Sequence, residues 1–273
     1  MCGACVMDKV ADRLGRRGTL AAAAAALAAP RLSASPAAAQ AAVRVAPVSR
    51  VVDLTHTLRP DFPTFDGKPA IEIEPALTVP RDGYAMNRQA YLEHVGTHFD
   101  APAHFRAGGA SVDAIPAEAL VCPLVVLDVA ERAAADPDYR LTPEDLAVHE
   151  RAHARIPPGA CVALRCGWDA NVATPRFRNA DASGALRFPG FRPDVAPPLL
   201  ERGVAGVAVD TLSLDHGGSR DFAFHLAWLG AGRWGLECAA NLGALPPTGA
   251  TILAGAPRIA GSTGGPGRAL ALL

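Results

Sequence analysis

His94-Val-Gly-Thr-His98-Phe-Asp100-Ala-Pro102-Ala-His104-Phe105 holds three of the chain's eight histidines and a carboxylate. His98 follows His94 by four positions, Asp100 comes two later, and His104 four after that. On a helix, residues four apart share a face, but a residue two further on swings away from it. In an extended strand every even-numbered member points the same way, so His94, His98 and Asp100 converge. Gly96, Thr97 and Pro102 also fit a helix interior poorly. The stretch reads as a strand end running into a loop. Imidazole nitrogens beside a carboxylate oxygen suit Zn2+, Mn2+ or Fe2+, and three protein ligands leave a position open for water, the mark of a catalytic site. Clustered surface or core histidines would explain each residue singly but not the group.

The sequence here resembles the cyclase family of metal-dependent hydrolases, which includes bacterial kynurenine formamidase and isatin hydrolase. The resemblance rests on the 94–105 motif and on Asp53-Leu-Thr-His56 before it. It continues through Asp210-Thr-Leu-Ser-Leu-Asp215, His225, Glu237, Asn241-Leu242 and Gly264-Gly-Pro-Gly-Arg268. It implies an α/β domain with mixed sheets, similar to the swivelling β/β/α arrangement, usually assembled as a homo-oligomer, dimer or tetramer. The spacing of twelve between His225 and Glu237 matches the family's pattern for ligands that complete the centre. Glu237 also stands in an apolar run, Leu236-Glu-Cys-Ala-Ala240, where an unpaired buried carboxylate would be costly and a cation would explain it. His94, His98 and Asp100 are expected to hold one ion, with Asp100 bridging to a second held by His225 and Glu237. The ions are Zn2+ or Mn2+, one or two. His104, past these ligands, is assigned proton transfer.

Residues 1–42 differ in composition from the rest of the chain. Arg13-Leu-Gly-Arg16-Arg17 precedes an apolar alanine-rich run, Leu20 to Ala29, and a small-residue segment ending near Ala41. That order reads as a secretory signal of the twin-arginine type, its apolar run too short to span a membrane stably. A low-complexity tail with a chance arginine pair is the plainer alternative. With the signal as residues 1–42, the catalytic domain spans 43–273 and the expected location is the periplasm. Removing residues 1–40 takes away five basic and two acidic groups, leaving 21 against 25, or net −4. With no basic excess, nucleic acid is not an expected partner, and a small-molecule amide is. Half the residues are apolar, enough for a sizeable core. Cys2 and Cys5 would leave with the signal, and Cys122, Cys161, Cys166 and Cys238 read as mostly buried thiols.

Strands are expected at Arg50–Leu54, at the half-buried alternation Ala70–Val79, and at Cys122–Val129, Ala160–Cys166, Val204–Asp210, Thr251–Ala256 and Arg268–Leu272. Thr142-Pro-Glu-Asp145 opens a capped helix containing His149-Glu-Arg-Ala-His153, which satisfies the zinc-protease pattern. Its arginines, the prolines at 157 and 158 and the lack of a third histidine favour a solvated helix face. A short helix ends the 193–202 stretch, and Phe222–Leu229 reads as a further apolar helix. Gly261–Gly267 lacks the Lys-Ser/Thr of a phosphate loop and reads as a turn. Phe65 sits in a turn-rich loop that in the family helps form the substrate pocket, often with Trp in its place. Trp168, Asp210, Ser213 and His216 are further pocket candidates; Asp210 and Asp215 could instead cap turns.

The expected function is hydrolysis of a C–N bond in an amide or cyclic amide, an arylformamide or an isatin-like compound, by a metal-activated water. Lactone hydrolysis or ring closure on the same site, or a periplasmic binding protein without turnover, are the alternatives. The export signal, Phe65 in place of Trp and the Asp215-His216-Gly217-Gly218 extension depart from kynurenine formamidase, and that extension looks more like isatin hydrolase.

Overall fold

Val125, Leu127 and Val129 face one core and Leu124 and Val126 another, so one strand separates two buried layers. The computed structural model describes residues 47–273; the export-signal reading and Cys2 and Cys5 lie outside the described residues. In chain order the strands are β1 (Val51–Asp53), β2 (Ile71–Leu77), β3 (Met86–Tyr91), β4 (His98–Asp100), β5 (Val121–Asp128), β6 (Arg140–Leu141) and β7 (Cys161–Arg165). They continue as β8 (Gly190–Phe191), β9 (Gly206–Val209), β10 (Trp234–Glu237), β11 (Ala250–Leu253), β12 (Gly264–Pro266) and β13 (Leu270–Leu272). The helices are α1 (Val79–Asp82), α2 (Ala130–Ala135), α3 (Pro143–Ala152), α4 (Ala196–Glu201) and α5 (Ala223–Gly230).

Nine strands form one sheet in the order β1-β13-β11-β5-β7-β9-β10-β4-β12. β5, β7, β9 and β10 are mutually parallel, and antiparallel pairs flank them. Helices in the crossovers give the parallel centre, because parallel neighbours need a long connection. Residues of α2 to α5 (Ala133, Leu146, Leu199, Phe224, Trp228) join the core on one face. Phe99, Trp234, Leu242 and many alanines fill the other. Each large side chain taken fully out of water there contributes roughly 1.5–3 kcal/mol. This is the expected mixed α/β fold.

α3 carries its expected cap: the Thr142 hydroxyl accepts from Asp145 N–H, and the Asp145 carboxylate accepts from Thr142 N–H at 2.8 Å. The prolines delay α4 to Ala196, as expected of residues that fit only a first turn. Cys122, Cys161, Cys166 and Cys238 are buried and free.

The half-buried alternation expected at β2 holds at its start, where Ile71 is buried and Ile73 partly so while Glu72 and Glu74 are exposed, and the strand pairs with β3 alone. Two expectations need correction. The helix bearing His149 is not a solvated face there, since His149 is buried, while Glu150 is held by Arg202 at 2.8 Å. Gly261–Gly267 is not only a turn: its second half is β12, an edge strand antiparallel to β4, the setting in which a strand proline is tolerated.

Candidate metal centre

β4 turns His98 and Asp100 to one face and Phe99 to the other, where Phe99 stacks on Trp234 with ring centroids 5.2 Å apart. On that antiparallel neighbour Glu237 lies opposite His98, and directly paired side chains share a face. Asp100 lies opposite Gly235 on β10 and Gly264 on β12, so both flanking strands leave room beside it. His94 arrives differently from the expected strand alternation. It precedes β4, and the left-handed Gly96, φ +68°, bends the chain between them. Thr97 fastens this bend, accepting from His56 N–H at 2.9 Å and donating to the Cys238 carbonyl at 2.6 Å.

His225 enters from the first turn of α5. The Asp215 carboxylate accepts from the backbone N–H of Phe224 and His225 at 2.9 and 3.1 Å, capping that helix. It also accepts from His225 Nδ1 at 2.6 Å, so Asp215 is both a cap and the partner of a ring at the centre.

Hydrogen bonds fix which ring nitrogen faces inward. The Gly96 carbonyl can only accept, so His98 Nδ1, 2.9 Å away, carries a proton and Nε2 is the nitrogen turned inward. That Nε2 lies 3.4 Å from Asp100 Oδ1 and 3.3 Å from Glu237 Oε2. His225 Nδ1 donates to Asp215, and its Nε2 lies 3.0 Å from Glu237 Oε1 and 3.6 Å from Asp100 Oδ2. Two imidazole Nε2 atoms thus meet carboxylate oxygens in a buried space, where each takes up a positive charge, a proton or a metal ion. His98 Nε2 and Asp100 Oδ2 are buried with no hydrogen-bond partner, a costly state unless a cation sits between them. Two donor groups could hold one: His98, Asp100 and Glu237, all buried, and His94, Asp100 and His104. The grouping differs from that expected, since His98 keeps company with Glu237 and not with His94, while Asp100 is shared as expected.

Protonation responds to the same demand for positive charge. Burial alone would lower His98, but Glu237 and Asp100 raise it to about 9. Burial likewise opposes charge on His225, yet Asp100, Asp215 and Glu237 hold it well above its usual value. Asp100 is held well below its usual range despite burial, by His225 and His94. A divalent cation can replace these protons. His104 goes the other way: burial, outweighing Asp100, pushes it down to about 4, leaving a neutral imidazole at pH 7. Its ring stacks on His94 at 3.7 Å.

An aromatic wall adjoins the cluster. Phe105 lies 4.7 Å from the His225 ring, Phe222 5.9 Å from it, and Phe65, 39% exposed, 5.9 Å from Phe222. Phe222 holds a left-handed backbone, φ 49°, which is strained for a residue of its size. Phe222 and Thr97 lie beside the expected site without having been expected there, and Asp215, expected either to touch the metal shell or to cap a turn, caps α5 and also bonds the His225 ring. Of the other pocket candidates, Trp168 is a core residue whose indole N–H donates to the Phe177 carbonyl at 2.9 Å. Asp210 is fully buried and accepts from Cys166 and Trp168 N–H, tying β7 to β9; burial raises it to about 7. Ser213 is buried, and its carbonyl accepts from the Thr211 hydroxyl at 3.0 Å. His216 is half-buried among Arg140, Asp138 and Asp221 and belongs to neither donor group. The His149/His153 pair, rings 4.8 Å apart, gains no third donor among the described residues.

Residues 52–216 match the family model described as putative cyclase. Isatin hydrolase of Roseibium aggregatum is 34% identical over 241 residues, covering 82% of this chain and 91% of that protein. The solved structure of isatin hydrolase A from Ralstonia solanacearum superposes with a TM-score of 0.76 at 38% identity, covering 82% of this chain and 92% of that one. Kynurenine formamidase of Paracidovorax citrulli is 25% identical over 184 residues, 63% of this chain and 74% of that protein. Matched by the family model over more than half its length and by relatives along most of it, this chain belongs to the cyclase family.

Proposed function

We propose that this chain is a metal-dependent amidohydrolase that opens a cyclic amide fused to an aromatic ring, the class to which isatin belongs. The observation that carries the reading is the pair of inward ring nitrogens, His98 Nε2 and His225 Nε2, converging on Asp100 and Glu237. The names of the relatives above 30% identity support the substrate class, and the wall of Phe65, Phe105 and Phe222 offers ring faces for stacking.

His98, Asp100, Glu237 and His225 would hold a divalent ion, Zn2+ or Mn2+, and Asp100 can share a second with His94. Such an ion supplies Lewis acidity to a carbonyl oxygen and lowers the pKa of water toward about 7. Asp215 and the Gly96 carbonyl hold the His225 and His98 rings in the ligating tautomer. In the net reaction the water oxygen bonds to the amide carbon, the C–N bond breaks, and the ring nitrogen leaves as an amine after gaining a proton. His104, which burial keeps a neutral imidazole, would take the proton from the attacking water and return it to that nitrogen.

The test is elemental analysis of the purified chain with hydrolysis of isatin and N-formylkynurenine, before and after chelation and metal re-addition. Chelator-reversible cleavage of isatin supports the reading. A metal-free chain under loading conditions removes its premise, and bound metal with no cleavage of either amide moves the chain to lactones or to binding alone.

Two coarser features belong to the same proposal. A homo-oligomer, dimer or tetramer, is supported by the β2–β3 hairpin, whose surroundings expose Val79, Tyr84 and Leu92; light scattering checks it. Periplasmic export rests on Arg16-Arg17 and the apolar run alone; cell fractionation checks it. Among the described residues no helix is long and apolar enough to cross a membrane.

A further inference from the structure

His94 is wired differently from the other two rings. His98 and His225 donate through Nδ1 and face the centre with Nε2. His94 turns Nδ1 inward, 2.7 Å from Asp100 Oδ1, and sets Nε2 against the Thr263 hydroxyl at 3.1 Å. The Thr263 hydroxyl in turn contacts Glu93 Oε2, which also accepts from Thr263 N–H at 3.0 Å. A hydroxyl has one proton, and an ionised carboxylate can only accept. Glu93 Oε2 already accepts from the Thr263 backbone N–H, so the same oxygen meets the Thr263 hydroxyl as an acceptor too. The Thr263 proton therefore goes to Glu93, its oxygen accepts from His94, and His94 Nε2 must carry the hydrogen. Nδ1 is left with its lone pair toward Asp100.

We infer that Glu93, acting through the Thr263 hydroxyl, is a positioning residue that sets the tautomer of His94, so that this ring offers Nδ1 to the metal centre. The inference rests on the metal reading above. The seat of the ring is consistent with one fixed pose. His104 stacks on one face of the ring at 3.7 Å. Gly264 adjoins it, where a Cβ would come within 2.5 Å of His94 Cε1. Thr263 is itself anchored, its carbonyl accepting from Ala101 N–H at 2.9 Å. Partners of this kind, one bond out from a ligand, typically hold 10–100-fold in metal affinity.

The experiment uses the full chain and four variants: Thr263→Val, Thr263→Ser, Glu93→Ala and the double variant Glu93→Ala/Thr263→Val. Zn2+ affinity is measured by competition with a chromophoric chelator. Long-range 1H–15N spectra of the zinc-loaded, 15N-histidine-labelled chain read the tautomer, with circular dichroism confirming the fold. The expected result is a His94 ring protonated at Nε2 in the parent chain and in Thr263→Ser. Thr263→Val and Glu93→Ala should each weaken Zn2+ binding roughly 10–100-fold. The double variant should be no weaker than the worse single one, because both act along one wire. A zinc-loaded parent with Nδ1 of His94 protonated overturns the inference. So does a folded Thr263→Val that binds Zn2+ within twofold of the parent, or a double variant whose losses multiply. If the parent itself holds no Zn2+, Mn2+ or Co2+, the metal reading fails and takes the relay with it; unaffected variants of a metal-holding parent sink the relay alone.

Discussion

Gly264→Ala presses on His94 from the strand side, and its size can be worked from the geometry. The added Cβ would lie 2.5 Å from His94 Cε1, 3.0 Å from its Nδ1 and 2.5 Å from the Phe99 carbonyl oxygen. Carbon contacts become favourable near 3.5 Å, so about 1 Å of relief is needed. The Phe99 carbonyl belongs to the backbone of β4, and the ring is backed by His104 at 3.7 Å. Either β12 lifts from β4 or the His94 ring slides. Sliding by about 1 Å moves His94 Nδ1 off its 2.7 Å approach to Asp100 Oδ1, and so out of the donor set the two residues form. Overpacking of this kind costs about 1–3 kcal/mol. In a domain of this size that lowers Tm by about 2–4 °C per kcal/mol. A 1 Å misplacement near reacting groups costs on the order of 10²-fold in turnover. Thermal melts and isatin turnover measure both, with Gly230→Ala, whose Cβ meets nothing within 4 Å, as the control. A Gly264→Ala chain that melts with the parent and turns over within twofold of it refutes the reasoning, since the ring would then have slack.

Other residues give further expected outcomes. His104→Ala should keep its metal and lose about 10²–10⁴ in kcat; equal loss of metal, read by elemental analysis, would make His104 a ligand with His94 and Asp100. Phe222→Ala should raise KM for an aromatic bicyclic amide about tenfold with a smaller change in kcat, and an unchanged KM would remove Phe222 from the pocket wall. Glu150 is held down to about 2 by its hydrogen bonds to Arg202, against 4.5 ordinarily. A depressed acid adds stability above its unfolded pKa and loses it as pH falls through the folded one, here from about 4.5 to 2. The pair lies near the surface, so after solvent screening the difference is worth about 1 kcal/mol. Glu150→Gln should flatten that limb in urea titrations at pH 6, 4 and 2.5 while leaving amide hydrolysis intact; loss of hydrolysis would revive the zinc-protease motif.

The part of the centre legible in the sequence was the part written at strand period. His98 and Asp100 share a face because they are two apart, and Glu237 stood out as a carboxylate in an apolar run. His94 was legible as a member of the group but for the wrong reason, since a left-handed glycine, not strand alternation, brings it in. Gly264 was legible only as part of the closing Gly264–Arg268 match and Thr263 not at all, because a glycine- and proline-rich edge strand has a turn's composition, and its identity as a strand depends on β4. Trp168, Asp210 and Ser213 looked like pocket residues because they sit at strand ends. Asp210 is there instead to satisfy two buried N–H groups of the neighbouring strand end, and Trp168 fills the core beside it. His149 misled in the opposite sense, as charge on the surrounding helix hid its burial. The mixed sheet came from the family resemblance; the strands and helices read along the chain are compatible with it but do not give its parallel centre, and exposed β3, with no apolar face of its own to announce it, was not foreseen.

The distance along the chain between parts of the centre has a kinetic consequence. His94 and Thr263 stand 169 positions apart, and Thr97 is clipped to Cys238 across 141. β1 and β13 are neighbours in the sheet although they lie at opposite ends of the described chain. Contacts of such high sequence separation form late and slowly, because loop closure must precede any gain from them. A partly folded chain would present the 94–104 histidines without Glu237, β12 or the Thr263 clamp, and so could grip a cation only weakly. The expected order of assembly is fold first and cation second, which would make an ion held here a late lock on a finished sheet and not a seed around which the chain collapses.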